Sequence, residues 1–262
     1  MAKLVPWWKS PVDKNMEKHL MFADKGHFDL ILTLMVDQKI KNKSGQTPLF
    51  AAVAKGKIEI VEALLKASGI DANEANLDDG YTPLLAAAAR GKIEVVEALA
   101  SGIDVNKADH NGRTPLFMAA FLEKTEAVRA LLKKPEIDVN HANINDETPL
   151  FAAAAKGKIE VVEALLKASG IDVNKADHNG RTPLFMTAFL GKIEAVKALL
   201  KARGIHADKA NKQEKTPFDI AKEKNYTEIV NILHSHFIDH KQTGKRESSN
   251  SPENNAKKKR GG

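Results

Sequence analysis

Few residues of this chain have the types and the spacing that catalysis or metal binding requires. The first candidates are the histidines near the C-terminus. His236 and His240 are four residues apart, with His234 close by, and that spacing can bring two metal ligands to one face of a helix. The alternative is a surface cluster beside the C-terminal tail. We adopt that interpretation, so no metal site is predicted. The absence of cysteine excludes disulfides, thiolate metal sites and cysteine nucleophiles.

Three other patterns bear on ligand binding or catalysis, and none is complete. The recurring Lys-Gly-Lys-Ile-Glu lacks the Ser or Thr and the upstream glycine of a phosphate-binding loop, so its glycine is interpreted as a helix stop between solvated lysines. Asp109-His-Asn-Gly has its glycine too early for a calcium loop and no closing glutamate, which favours a turn. No Gly-x-Ser-x-Gly elbow occurs. We therefore predict no catalytic residues, no enzymatic activity and no cofactor.

Composition and charge narrow the class of protein further. The 262 residues are 43% hydrophobic and 28% charged, which is typical of a folded chain. The net charge is +6, but residues 241–262 alone hold seven basic and two acidic residues, so the rest is almost neutral and argues against nucleic acid as the partner. No apolar run is long enough to span a membrane, and the N-terminus lacks the apolar stretch of a secretory signal. We expect an intracellular location, in the cytoplasm and also in the nucleus, of a host cell if the source is a microbe.

A repeated pattern organises most of the sequence. Thr-Pro occurs at residues 47, 82, 114, 148, 182 and 216, at intervals of 32 to 35 residues. A fixed period of this length indicates a solenoid. Residues 100–118 are identical to residues 168–186, which indicates duplication of a two-repeat module.

The unit that begins at Thr148-Pro149 shows how each repeat is expected to fold. The threonine hydroxyl can cap a helix, and proline suits the first helical position. The Ala-rich helix that follows is expected to stop at Gly157. From Ile159 onward the apolar residues recur at helical spacing and predict a second helix, and Asn179-Gly180 predicts a turn. Two short helices cannot bury their own apolar faces, so neighbouring units must stack.

These features resemble the ankyrin repeat family over residues 17–240. Thr-Pro-Leu, the Ala-Ala pair, the glycine after the first helix, Val-x-x-Leu-Leu and Asp-Val-Asn all match its pattern. The resemblance implies an all-α solenoid of stacked helix-turn-helix repeats with β-turn or hairpin loops. It also implies a monomeric protein–protein interaction module, such as an intracellular adaptor, inhibitor or effector. Where the family commonly has histidine we expect apolar packing instead, because the sequence there has Phe50, Leu85, Phe117, Phe151 and Phe185, with Asp219 in the last unit.

Three segments are predicted along the chain. Residues 1–16 form an N-terminal arm whose Trp7-Trp8 would cover the first repeat or serve as a short motif. Residues 17–240 form the repeat domain, with a degenerate first unit, a polar closing unit and a shortened second Thr-Pro unit where we expect a local kink. Residues 241–262 form a disordered basic tail. The units are expected near 17–46, 47–81, 82–113, 114–147, 148–181, 182–215 and 216–240.

The resemblance also implies where a partner protein would bind. The contact positions lie on the concave side, in the loop before each Thr-Pro and at the end of each first helix. Aromatic residues and arginine are common in binding hot spots. The residues selected as partner-binding are Tyr81, Arg90, His110, Asn111, Arg113, Phe121, Leu122, Ile144, Asn145, Lys156, His178, Asn179, Arg181, Phe189 and Leu190.

Phe121-Leu122 and Phe189-Leu190 stand out among these residues, because four other units have Ala-Lys, Ala-Arg or Glu-Lys at the same place. They are either exposed anchors for a peptide or protein domain, or they fold inward against Phe117 and Phe185 one helical turn earlier. The sequence leaves both alternatives open.

The tail supplies an alternative function. Its two basic clusters are ten residues apart and resemble a bipartite nuclear localisation signal. The tail would then bind an import receptor or another anionic ligand, with the stack as carrier, or it would act only as a solubilising segment. The clusters consist of Lys245 and Arg246, then Lys257, Lys258, Lys259 and Arg260.

Overall fold

The computed structural model describes residues 41–249 except 43, 68 and 101. In that part of the chain the regular structure is entirely helical, with one helix pair after each Thr-Pro. The first helices are Pro48–Lys55 (α1), Pro83–Arg90 (α3), Pro115–Phe121 (α5), Pro149–Lys156 (α7), Pro183–Phe189 (α9) and Pro217–Glu223 (α11). The second helices are Ile58–Lys66 (α2), Ile93–Leu99 (α4), Thr125–Leu132 (α6), Ile159–Leu166 (α8), Ile193–Leu200 (α10) and Thr227–Ser249 (α12).

Each first helix begins in the same way. The hydroxyl of the Thr before it accepts a hydrogen bond from the amide three residues later, at 3.1 to 3.2 Å in all six units. Proline follows at the first helical position. In the last unit Asp219 adds a capping box, because its carboxylate accepts a hydrogen bond from the amide of Thr216 at 2.9 Å. The recurring Thr-Pro therefore fixes where every pair starts, as predicted.

The turn between the two helices of a pair uses one left-handed residue in every unit. It is glycine in four units, including Gly157, which ends α7 as predicted. In the other two units the same position holds Glu123, with φ of 58°, and Asn225, with φ of 59°. An L residue is strained in this region. At Glu123 the carboxylate forms an ion pair with Lys158 of the next unit.

Stacking of neighbouring pairs creates the core. Each first helix packs against the first helices on either side and against its own second helix, and the second helices pack together in the same way. The position where the resemblance implied histidine is filled by side chains that are at most 3% exposed: Phe50, Leu85, Phe117, Phe151 and Phe185. Apolar packing at this position is therefore confirmed. The alanines of the first helices are largely buried, so they allow the close approach of neighbouring units.

The loops before each Thr-Pro form hairpin-like turns, although the described residues contain no strand. The amide of Asp109 donates to the carbonyl oxygen of Arg113 at 3.0 Å, which closes one such turn. Adjacent turns are joined by a backbone hydrogen bond from Ile144 to Asn111 at 3.0 Å, and by its counterpart from Lys212 to Asn179. These bonds hold the loop tips in a continuous row.

A ladder of asparagines joins the loops that follow the second helices. The side-chain amide of Asn140 donates to the carbonyl oxygen of Gly170 at 2.7 Å, and its Oδ1 accepts from the amide of Asp172 at 2.8 Å. Asn106 and Asn174 make the equivalent pairs of bonds to the units that follow them. The Asp-x-Asn pattern therefore connects successive repeats. The sequence analysis had used this pattern only as a family marker.

Several predicted segments are corrected or lie outside the described residues. Helix α12 continues to Ser249, so the disordered tail predicted from Lys241 is wrong for its first part. No proline occurs between Pro217 and Pro252, so no proline interrupts the helix at the predicted start of the tail. The N-terminal arm, the basic cluster 257–260 and most of the degenerate first unit lie outside the described residues. Helix α4 is short as expected, but the kink stays a prediction.

Candidate partner-binding surface

One ion pair shows which loop and helix positions share a face. Lys215, just before the last Thr-Pro, places its ammonium nitrogen 2.6 Å from Oε1 of Glu223 at the end of α11. The loop before a Thr-Pro and the last turn of the following helix therefore lie side by side. We call this side of the stack the front face. It consists, in each unit, of the loop before Thr-Pro, the last turn of the first helix and the residue after that helix.

Tyr81 and Arg113 were predicted to contact a partner, but the structure buries them against each other. Arg113 donates to the Tyr81 hydroxyl at 2.9 Å and pairs with the Asp109 carboxylate at 2.6 Å. Tyr81 is only 2% exposed and Arg113 only 9%. The guanidinium satisfies a buried carboxylate and a buried hydroxyl at once, so both residues join adjacent units and offer little surface to a partner.

Arg181 occupies the same place in the duplicated module but has different surroundings. It pairs with Asp177 at 2.5 Å, as Arg113 does with Asp109. In the unit before Arg181, Glu147 stands at the position that Tyr81 holds in the unit before Arg113. The carboxylate of Glu147 accepts a hydrogen bond from the side-chain amide of Asn143. The side chain of Arg181 is consequently 28% exposed and remains accessible on the front face.

The two phenylalanines that the sequence singled out are packed rather than fully exposed. Phe121 stacks on Phe117 with ring centroids 6.2 Å apart and an interplanar angle of 13°. The ammonium group of Lys156 lies 3.9 Å from the centroid of the Phe121 ring, and Lys224 lies 4.8 Å from that of Phe189. Both rings are partly buried. The contact with Phe117 favours the inward alternative for Phe121. Each of the two rings is also partly covered by a lysine of the unit that follows it.

The accessible apolar groups of the front face are instead aliphatic. Leu190 is 38% exposed and Ile144, at a loop tip, is 68% exposed, while Leu122 is half-buried. Leu77 is 71% exposed and was missed by the sequence analysis. Its loop spans residues 76–81 and is one residue longer than the others, so the interval of 35 between Thr-Pro pairs was the available signal.

Polar groups surround these aliphatic side chains. His110, Asn111, Asn145, Lys156 and His178 are exposed as the prediction required, and Asn179 is half-buried. Their loops are held by hydrogen bonds, such as the 3.0 Å contact between Nδ1 of His178 and the carbonyl oxygen of Asn145.

Two charged residues of the front face have shifted pKa values. Burial lowers the pKa of Arg90, whose guanidinium donates to the carbonyl oxygen of Ala54 in the preceding unit. Burial, then the neighbouring Asp78, raises the pKa of Asp79 in the longer loop. In both residues burial is the largest cause of the shift in pKa.

The described residues contain no group of three side chains suited to a metal ion, and no helix there is long and apolar enough to cross a membrane. A groove of about 460 Å³ lies between α6 and α8, on the side away from the front face, and Arg129, Glu160 and Lys167 contribute to its walls. It is an open surface groove between neighbouring helices. The front face therefore offers the best-organised set of exposed groups.

Stacked helix pairs with aligned loop tips define a helical repeat protein whose exposed loops can serve recognition. The family model for ankyrin repeats matches the chain in three copies, at residues 18–109, 102–177 and 169–243. The chain therefore belongs to the ankyrin repeat family. Such repeats are generally protein–protein interaction modules and are typically non-enzymatic. A search of curated proteins found no match to the chain.

Proposed function

We propose that this protein binds one partner protein through its front face and acts as an intracellular adaptor or inhibitor. The observation that carries the proposal is the presence of exposed aliphatic side chains, Ile144 and Leu190, on elements that are fixed by bonds between units. Exposed apolar groups with a polar surround are typical of the centre and rim of protein interfaces.

The rigidity of the front face supports high affinity. The amide of Ile144 is bonded to Asn111, and the next tip is bonded to Asn145 through His178. Loops held in this way lose little conformational freedom when a partner binds. Neighbouring helices pack about 8–10 Å apart, so six units present a surface on the order of 50 Å long, which fits an extended segment or a domain.

Site-specific photo-crosslinking tests the proposal in a cell lysate. A photoreactive amino acid replaces Ile144, Leu122 or Leu190 on the front face, one at a time. In matched control proteins it replaces Glu62, Glu97 or Glu163, which are exposed on second helices. We expect the front-face proteins to yield the same discrete cross-linked protein and the control proteins to yield none.

A cross-linked protein obtained equally from both sides would show non-specific contact and would contradict the proposal. Products obtained only from the second helices would move the binding site to the opposite side of the stack.

The basic tail supports a second candidate, binding to a nuclear import receptor. The observation that favours it is the bipartite spacing of Lys245-Arg246 and the cluster 257–260. The first pair lies within α12, so the helix would have to open for the tail to bind in an extended form. Fusion of residues 241–262 to a fluorescent protein tests the candidate. Nuclear accumulation that is lost when the cluster 257–260 is changed to alanine would support it, and uniform fluorescence would contradict it.

A further inference from the structure

A row of lysines follows the front face where the first helix gives way to the second, in five of the six described helix pairs. We call it the lysine ridge, and it consists of Lys57, Lys92, Lys124, Lys158 and Lys192, each directly before a second helix. The sequence analysis had treated two of them, Lys57 and Lys158 in Lys-Gly-Lys-Ile-Glu, as solvated flanks of a helix-stop glycine. The structure places several of their stems across the turn of the unit before. A Cβ atom added to Gly91 would lie 3.0 Å from Cδ of Lys124, and one added to Gly157 would lie 3.1 Å from Cδ of Lys192.

The positive charge of the lysine ridge is only partly balanced. Lys158 is paired with Glu123, but the ammonium groups of Lys92, Lys124 and Lys192 have no carboxylate partner among the described residues. The glutamates that begin the second helices do not neutralise them. Glu126 pairs with Arg129 and Glu194 with Lys197, both along the second helices.

A groove beside the ridge combines cationic walls with an apolar lining. Its volume is about 340 Å³, and it is lined by Ala89, Arg90, Lys92, Leu122 and Lys124. Leu122 and Leu190 stand at the helix position that Arg90, Lys156 and Lys224 occupy in other units. The same surface therefore offers a cation in some units and an aliphatic group in the units between them.

We infer that the lysine ridge binds an acidic, leucine-containing segment of the partner in an extended conformation. This inference rests on the proposed function and names the chemistry of the partner. In a polyproline II segment every third residue lies on one face, at a spacing of about 9 Å. Neighbouring repeats are about 8–10 Å apart, so carboxylates at every third residue would match the spacing of the lysine ridge, and those opposite Lys92, Lys124 and Lys192 would each meet an ammonium group. An apolar residue beside the carboxylate would contact Leu122.

An acidic polypeptide fits this surface better than a nucleic acid does. Glu123 stands directly before Lys124 and pairs with Lys158, so the free cations of the lysine ridge do not form the continuous line that a phosphate backbone would need. The alternating leucines also give an apolar segment contacts that a phosphate backbone cannot make.

Fluorescence anisotropy with the purified full-length protein tests the inference. The probe is a labelled peptide of five tandem Glu-Leu-Pro units, compared with peptides in which Gln or Lys replaces Glu and with one that has the same composition but clustered glutamates. Substitution of Lys92, Lys124 and Lys192 by Gln is expected to weaken binding of the Glu-Leu-Pro peptide about tenfold, since three exposed ion pairs are lost. The matched control variant replaces Lys133, Lys167 and Lys201, at the ends of second helices, by Gln and should bind as the unchanged protein does.

Each other outcome has a defined meaning. Equal weakening by both triple variants, or equal competition by oligothymidylate of the same charge, would overturn the inference in favour of general polyanion binding. Preference for the Gln or Lys peptide, equal binding of the peptide with clustered glutamates, or no binding of any peptide would also overturn it. The proposed function would then still be decided by the photo-crosslinking experiment, because that experiment makes no assumption about the charge of the partner.

Discussion

Arg113 and Arg181 belong to identical sequence segments, and they show what a neighbouring repeat adds to a single residue. Arg113 bonds to Asp109 and also to Tyr81, whereas Arg181 bonds to Asp177 without a tyrosine. We predict that Arg113→Ala lowers the free energy of unfolding by about 2–3 kcal/mol, because it leaves a buried carboxylate and hydroxyl without their donor. Arg181→Ala should cost less, about 1–2 kcal/mol, because it leaves the buried Asp177 carboxylate without this donor but strands no tyrosine hydroxyl. Urea unfolding of the two variants measures the difference.

A double-mutant cycle supplies the control for this prediction. Tyr81→Phe removes only the hydroxyl that accepts from Arg113. It should destabilise the unchanged protein and have little further effect once Arg113 is alanine. Equal losses for the two arginine variants would show that the tyrosine contributes nothing.

The environment of Asp219 predicts that the stability of the closing repeat depends on pH. Hydrogen bonds from the hydroxyl and amide of Thr216 lower the pKa of Asp219 in the folded protein. A carboxyl with a lowered folded pKa stabilises the protein above its unfolded pKa of about 3.9, and this stabilisation is lost as the pH falls through the folded value. Asp219→Asn should therefore lower the thermal midpoint at neutral pH. The difference in thermal midpoint between this variant and the unchanged protein, which is the gap to be measured, should disappear at acidic pH. A gap that widens on acidification would contradict this.

At the scale of the elements, the asparagine ladder is predicted to couple neighbouring repeats. Asn140 bonds to the carbonyl oxygen of Gly170 and the amide of Asp172, so Asn140→Ala leaves two backbone groups of the next loop without this partner. We expect a loss of about 1–2 kcal/mol in the free energy of unfolding, with faster hydrogen exchange in both adjoining loops. Asp208 holds the equivalent place at the end of the ladder and is exposed. Asp208→Ala is therefore the matched control, and an equal loss there would contradict the prediction.

The elements also show what could be predicted from sequence and what could not. Thr148 and Gly157 gave the start and end of α7 because caps are local and depend on one or two residues. The packing of Phe121 could not be predicted, since its ring is covered by Lys156 of the following unit. Burial of Tyr81 depended in the same way on Arg113, one repeat later. Features that depend on residues of one unit could be predicted from the sequence. Contacts between units could not, because they depend on the residues of the neighbouring unit.

At the scale of the whole molecule, the duplicated segments make the solenoid a modular array. Residues 100–118 and 168–186 have the same sequence, and helices α5 and α9 begin and end at equivalent residues. In the described part of the chain, the main contacts of each helix pair are with its neighbours along the stack. Stability should then be a sum of unit and interface contributions, so a unit can be removed if the remaining faces still match.

Deletion of residues 119–186 tests this modularity, because the identical segments make the junction seamless. The deletion joins Met118 to Thr187 and removes two whole units. We predict a folded, shorter protein with unchanged mean residue ellipticity and a lower thermal midpoint, since two stacking interfaces are lost. The matched control deletes residues 119–169, which removes one and a half units. It joins the first turn of α5 directly to Gly170, in the loop that follows α8. That protein should lose helicity well beyond its change in length. If the two deletions behaved alike, stability would not come from stacking of whole units, and the modular account of this chain would fail.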